Sequence, residues 1–262
     1  MRRLPLAAAL LLLASCSRPS LTERLVNAKW VDLTYPFDST TIYWPTAQPF
    51  HLTVVSAKRM PGGWYYAANN FAAAEHGGTH LDAPVHFVEK RHTTDEIPLS
   101  QLIAPAVVID VKRQTDSSVD YRVHQSDIIS WEAAHGDIPE GTIVLIRTGW
   151  GSRWPDRARY LGTTKTGAAA VAELHFPGLD LDAARLLVRR RVAAVGIDSP
   201  SIDYGQSTTY QVHRRLFASN VPAFENVAHL DELPVTGAFV IALPMKIKGG
   251  SGGPLRIVAL LP

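Results

Sequence analysis

Two segments near the start of the chain, "WVDLTY" at 30–35 and "FHLTVVSA" at 50–57, alternate apolar and polar residues. A period of two puts the apolar set on one face, so both read as half-buried strands. Further along, the pattern changes to near-continuous apolar runs: "AVVIDV" at 106–111, "TIVLIR" at 142–147, "VAAVGI" at 192–197, "AFVIAL" at 238–243 and "LRIVALL" at 255–261. Such runs read as strands buried on both faces. Helical patterns fall between some of them. Ser126 is placed to cap "DIISWEAAH", with Gly136 as its stop. "LDAARLLVRRR" at 181–191 carries basic charge in its last turn, and "TTYQVHRRLFAS" at 208–219 ends at Asn220 before Val221-Pro222. Strands and helices mix without a strict βαβ rhythm. The pattern implies an α/β or α+β fold with a substantial sheet, and no repeat or second linker divides it. One domain over residues 29–262 is the simplest organisation.

The first residues follow a different pattern. "MRRLPLAAALLLLASC" opens on Arg2 and Arg3, runs apolar from Leu4 to Ala14, and ends on Cys16. That is a secretory signal over residues 1–15, shorter than the about 20 residues a membrane-spanning helix needs. Leu13-Ala14-Ser15-Cys16 resembles the bacterial lipobox, which implies that Cys16 becomes a lipidated N-terminus and residues 16–28 a tether. Ser17, where aspartate would resemble an inner-membrane retention signal, points to the outer membrane, facing the periplasm. Cys16 is the only cysteine, so the domain has neither a disulfide nor a thiol nucleophile. Without Arg2 and Arg3 the 26 basic residues become 24, equal to the 24 acidic ones. A neutral mature chain gives no basic surface for nucleic acid, and its only expected tie to a membrane is the N-terminal lipid.

The densest chemistry lies in "EHGGTHLDAPVHF" at 75–87. His76, His80, Asp82 and His86 are spaced by 4, 2 and 4. Gly77, Gly78 and Pro84 argue against a helix. In an extended chain all four would face one side. Full extension would separate residues 76 and 80 by about 13 Å, whereas two ligands of one ion need donor atoms about 3–3.5 Å apart. The chain must therefore curl between them, and Gly77-Gly78 supplies the freedom. His80 and Asp82 converge directly. Pro84 then fixes a bend before His86. Imidazoles with a carboxylate suit zinc or manganese, with iron admissible, and leave positions open to water.

This stretch resembles the His-x-Gly-Thr-His-x-Asp-x-Pro-x-His signature of the cyclase family of metal-dependent hydrolases, which includes bacterial kynurenine formamidase and isatin hydrolase. The resemblance extends to "DLTYPFDSTTIYWP", to "HFPGLDLDAARLLVRRRVAAVGIDSPSIDYG" at 175–205 and to "LPMKIKGGSGGPLRIVALL" at 243–261. It implies a swivelling β/β/α fold, a barrel-like mixed sheet layered with helices, assembled as a homodimer or higher homo-oligomer. It implies that His76, His80 and Asp82 bind a divalent ion and that His86 handles protons. In one branch a second ion shares the aspartate with a histidine and a glutamate twelve residues apart. His213 and Glu225 have that spacing in "VHRRLFASNVPAFEN". Glu225 then either holds the second ion or, with one ion, orients water. One ion or two both fit the residues.

The activity the resemblance implies is hydrolysis of an amide or lactam C–N bond in a small molecule; among the chain's own aromatic residues Trp44 is the candidate substrate contact, with core packing or dimer contact as its other reading. The rival is a periplasmic metal- or ligand-binding protein that keeps the pocket without turnover. An intact His86 favours catalysis, because binding alone needs no free base. No Gly-x-Ser-x-Gly elbow stands before a helix, since the glycines around Ser251 at 249–253 precede a strand, and no phosphate loop or dinucleotide fingerprint occurs. Three further features carry more than one reading. "GGSGGP" around Ser251 is a flexible turn or a pocket wall. Asp198 and Asp203 are caps or site residues. Trp64, Tyr65 and Tyr66 line a pocket, or serve core packing or dimer contact.

Overall fold

The long apolar runs form the centre of one sheet, because both of their faces have something to bury against. A computed structural model describes residues 20–261; the expected signal, Cys16 and Ser17 lie outside the described residues. In chain order the strands are β1 (Trp30–Asp32), β2 (His51–Arg59), β3 (Tyr65–Ala72), β4 (His80–Asp82), β5 (Ile103–Asp110) and β6 (Arg122–Val123). They continue with β7 (Ile143–Arg147), β8 (Gly178–Leu179), β9 (Ala194–Ile197), β10 (Ala223–Glu225), β11 (Ala238–Pro244) and β12 (Gly252–Leu260). The main sheet runs β1-β12-β11-β5-β7-β9-β10-β4, and β4 also pairs with β12. That last pairing closes seven strands, β4 through β12, into a mixed barrel. β5, β7, β9 and β10 are parallel neighbours; the remaining pairs are antiparallel. The expected α/β class and barrel-like sheet are present.

Alternate residues separate two cores, as a period of two requires. Val108, Leu145, Phe224, Leu81, Val240 and Ile257 gather on one face. Val107, Ile109, Val144, Ile146, Val195 and Ile197 pack on the other face against helices. These helices are α1 (Gln125–His135), α2 (Leu181–Arg189) and α3 (Gln211–Phe217), contributing Ile128, Trp131, Leu186, Leu187, Leu216 and Phe217. Each fully buried side chain of this kind stabilises the fold by about 1.5–3 kcal/mol. A third cluster, with Ile42, Trp150, Tyr160, Leu161 and Phe176, sits beside the site described below.

Several boundaries differ from the pattern reading. α1 starts at Gln125, and its cap is not Ser126: the Asp127 carboxylate accepts the His124 backbone N–H at 2.8 Å, while Gly136 does stop the helix. α3 is shorter than 208–219 because Tyr210, at φ 48°, breaks the backbone before it. The expected tether contains a short helix, Leu21–Val26, closed by a Ser20–Glu23 capping box. The segment at 30–35 is strand only to Asp32. β2 is a strand as expected but not half-buried. It forms with β3 a two-stranded ribbon whose residues are almost all exposed, Leu52, Val54, Val55, Tyr65, Tyr66 and Phe71 among them. β-branched and aromatic residues favour the strand, but no other layer of the described chain covers it.

Candidate metal centre

Three strands and one helix converge at the barrel closure. β4 lies between β10 and β12, in a register that sets His80 opposite Glu225 and Asp82 opposite both Ala223 and Gly252. His80 and Asp82, two apart on one strand, bring Nε2 and Oδ1 to 3.1 Å. The expected curl is present before them. Gly78 adopts φ 58°, a left-handed conformation that favours glycine. Gly77 serves differently: a Cβ there would lie 2.0 Å from a Tyr43 ring carbon, so its role is close packing. The curl brings His76 Nδ1 to 2.7 Å from Asp82 Oδ1. Pro84 opens a single 3-10 turn, Pro84–His86, which stacks the His86 ring on His76 at 3.8 Å between centroids.

The second half comes from α3 and β10. His213 Nε2 lies 3.2 Å from Asp82 Oδ2 and 3.2 Å from Glu225 Oε1. Glu225 also lies 3.6 Å from His80 Nε2. Its other contact, a hydrogen bond from the Ile202 N–H at 2.8 Å, fixes its orientation. All five candidate ligands therefore meet. They form two groups, His76–His80–Asp82 and Asp82–His213–Glu225, whose donor atoms lie within 4.8 Å of one another. Asp82 is common to both.

The far nitrogen of each ring is held. His80 Nδ1 donates to the Gly78 carbonyl at 2.9 Å, which turns Nε2 toward the carboxylates. His213 Nδ1 donates to Asp203 at 2.6 Å. His76 Nε2 meets the Ser251 hydroxyl at 2.9 Å. Outer contacts of this kind set tautomer and direction for metal-binding histidines. Burial alone would raise the Asp82 carboxyl. The charge of His76 and hydrogen bonds from His213, His76 and His80 outweigh it, holding the group well below the usual range. Burial lowers His80 and His213, but their carboxylate partners win and raise both, His213 strongly. The cluster thus attracts positive charge, and buried imidazoles with carboxylates are the donor set a divalent ion would use in place of those protons. His86 differs. Burial pushes it down to about 4, leaving a neutral imidazole at neutral pH.

A cavity of about 320 Å³ opens over this cluster, walled by Ile42, Tyr43, Trp44, Phe87, Leu161 and Tyr210. Trp44 is part of this wall. Trp64, Tyr65 and Tyr66 are not in the wall; they lie exposed on the β2–β3 ribbon or its turn. Ser251 touches His76, so "GGSGGP" is part of the site's surroundings. Asp203 belongs here as the partner of His213, and also accepts the Val212 and His213 backbone N–H groups. Asp198 does not. It accepts from Thr148 and Gly149 and faces a separate cavity, where burial pushes it up to about 6.

The family profile described as a putative cyclase matches residues 31–204. The chain belongs to this cyclase family. Over 208 residues it is 35% identical to the isatin hydrolase of Roseibium aggregatum, covering 76% of this chain and 77% of that protein. The kynurenine formamidase of Salinibacter ruber is 28% identical over 232 residues, covering 87% and 95%. Among solved structures, isatin hydrolase A from Ralstonia solanacearum superposes with a TM-score of 0.81 at 33% identity, over 95% of this chain and 100% of that one. Cyclase-family membership agrees with the motif at 76–86.

An Asp203→Ala variant releases the His213 ring. It is expected to weaken divalent-metal binding by about 10–100-fold, read by competition with a chelator. Unchanged affinity would show that His213 is aligned by other contacts.

Proposed function

We propose that this cyclase-family chain is a divalent-metal-dependent hydrolase of an amide or lactam C–N bond in a small, flat substrate. The observation that carries this reading is a neutral, half-buried His86 set against a cluster of imidazoles and carboxylates on the floor of a largely apolar cavity. Relatives named isatin hydrolase and kynurenine formamidase support the reaction class. His76, His80 and Asp82 would hold one ion. Asp82, His213 and Glu225 have the composition to hold a second, so the site takes one or two ions of zinc or manganese.

The bound ion supplies two things: a more acidic water and polarisation of the substrate carbonyl. The chain's residues do the rest. His86 makes no side-chain hydrogen bond to another protein group among the described residues, so its imidazole is free to take the proton of the attacking water. It then returns that proton to the leaving nitrogen. Glu225, with Oε1 fixed by the Ile202 N–H, orients water or completes the second ion's ligands. Trp44, Ile42 and Phe87 exclude solvent and give an aromatic ring a surface to lie on.

We further propose that the enzyme is exported and held on a membrane facing the periplasm, the outer membrane by the Ser17 criterion, through lipid on Cys16. The signal pattern at 1–16 supports this. No helix among the described residues is long and apolar enough to cross a membrane. A homodimer or higher homo-oligomer is supported by the uncovered apolar residues of the β2–β3 ribbon. Labelled palmitate should mark the wild-type chain and not Cys16→Ala; a wild-type chain without label contradicts the anchor.

His80→Ala is expected to lose metal and activity together. His86→Ala should retain metal while turnover falls by about 10²–10⁴-fold. Metal analysis with assays on isatin and N-formylkynurenine checks both. Full activity and full metal content in His80→Ala would end the reading. Bound metal with no turnover across a broad amide and lactam panel would favour a binding protein.

A further inference from the structure

The glycine-rich turn at 249–253 approaches the metal centre more closely than side chains would permit. A Cβ on Gly250 would lie 2.8 Å from Glu75 Oε1, and one on Gly252 would lie 2.6 Å from His76 Cε1. Between these two glycines stands Ser251. Its hydroxyl lies 2.6 Å from Glu75 Oε2 and 2.9 Å from His76 Nε2, and its backbone N–H donates to the same Glu75 oxygen at 3.0 Å. The turn is fixed from both sides. Ala83 N–H donates to the Ser251 carbonyl at 2.8 Å, and the buried Thr94 hydroxyl lies 3.1 Å from the carbonyls of Gly250 and Gly252.

These contacts determine where the protons go. A carboxylate accepts hydrogen bonds and donates none, and a serine hydroxyl has one hydrogen to give. Ser251 gives that hydrogen to Glu75. Its remaining capacity is as an acceptor, so His76 must donate to it through Nε2–H. With that proton on Nε2, the ring nitrogen left to face a cation is Nδ1, which lies 2.7 Å from Asp82 Oδ1.

We propose that Glu75 and Ser251 are positioning residues that lock His76 in the tautomer whose Nδ1 binds the ion. The proposal rests on the metal-hydrolase reading above and adds a carboxylate–hydroxyl–imidazole chain outside the ligand set. It also accounts for the glycines flanking Ser251, which let the hydroxyl come within reach of both partners. Neither residue touches the reacting atoms; both act through His76.

Chelator competition with zinc tests the proposal on the full-length wild type, Ser251→Ala, Ser251→Thr and Glu75→Ala. Proton NMR of the zinc-loaded proteins follows the exchange of the His76 Nε2–H. The expected result is a zinc affinity about 10–100-fold weaker in Ser251→Ala, a loss in the same direction in Glu75→Ala, and recovery in Ser251→Thr, which keeps the hydroxyl. The Nε2–H should exchange slowly in wild type and Ser251→Thr and quickly in Ser251→Ala. Wild-type zinc affinity together with a slowly exchanging Nε2–H in Ser251→Ala would overturn the proposal while leaving the metal centre in place. Failure of the wild-type chain to bind zinc or manganese at all would instead overturn the metal-centre reading, and this proposal with it.

Discussion

Everything at this site depends on the burial of one carboxylate. Asp82 is almost wholly inaccessible, and an ionised carboxylate in such a place is costly unless it is paired and hydrogen-bonded. Three imidazoles meet it, from His76 at 2.7 Å, His80 at 3.1 Å and His213 at 3.2 Å. Each imidazole is fixed from behind by a different part of the chain: Ser251, the Gly78 carbonyl and Asp203. The charge is therefore balanced by segments more than a hundred residues apart. Losing any of them would leave a buried charge with too few partners.

That constraint ties the site to the fold. β4 is only three residues long, yet it closes the barrel by pairing with β10 on one side and β12 on the other. The same pairings place Glu225 beside His80 and Gly252 beside His76. A shift of register by one residue would turn His80 and Asp82 to the opposite face and dissolve the cluster. The apolar interior, with Leu81 and Phe224 facing inward from the two short strands, holds the register. Chemistry at the closure needs that rigidity, because ligand atoms must be held to within about 0.5 Å.

The amino-acid sequence made the local half of this legible. The spacing of His76, His80, Asp82 and His86 and the curl at Gly77-Gly78 follow from strand geometry and metal–ligand distances alone. The central strands were equally readable, since their apolar runs are long. The distant half was legible only through family resemblance: Glu225 by itself looks like a loop residue, and it becomes a strand residue only when β10 pairs with β4. Asp203 and Ser251 were visible as polar residues in glycine- or serine-bearing loops, but their partners lie 10 and 175 residues away. No local pattern encodes those contacts. The β2–β3 ribbon misled for a related reason. Alternation specifies a strand, while burial depends on a covering layer, and the described chain supplies none.

The central claim is that this buried carboxylate exists to hold a divalent ion for hydrolysis. Equilibrium binding of manganese and zinc to the wild-type chain and to Asp82→Asn, with matched circular dichroism spectra, tests it most directly. Asparagine preserves size and removes the charge shared by both donor groups. The account predicts at least one tightly bound ion per wild-type chain and an affinity lower by about two orders of magnitude or more in the variant, of the order expected when a charge-paired ligand is lost. Equal affinity and stoichiometry in the two proteins would contradict it.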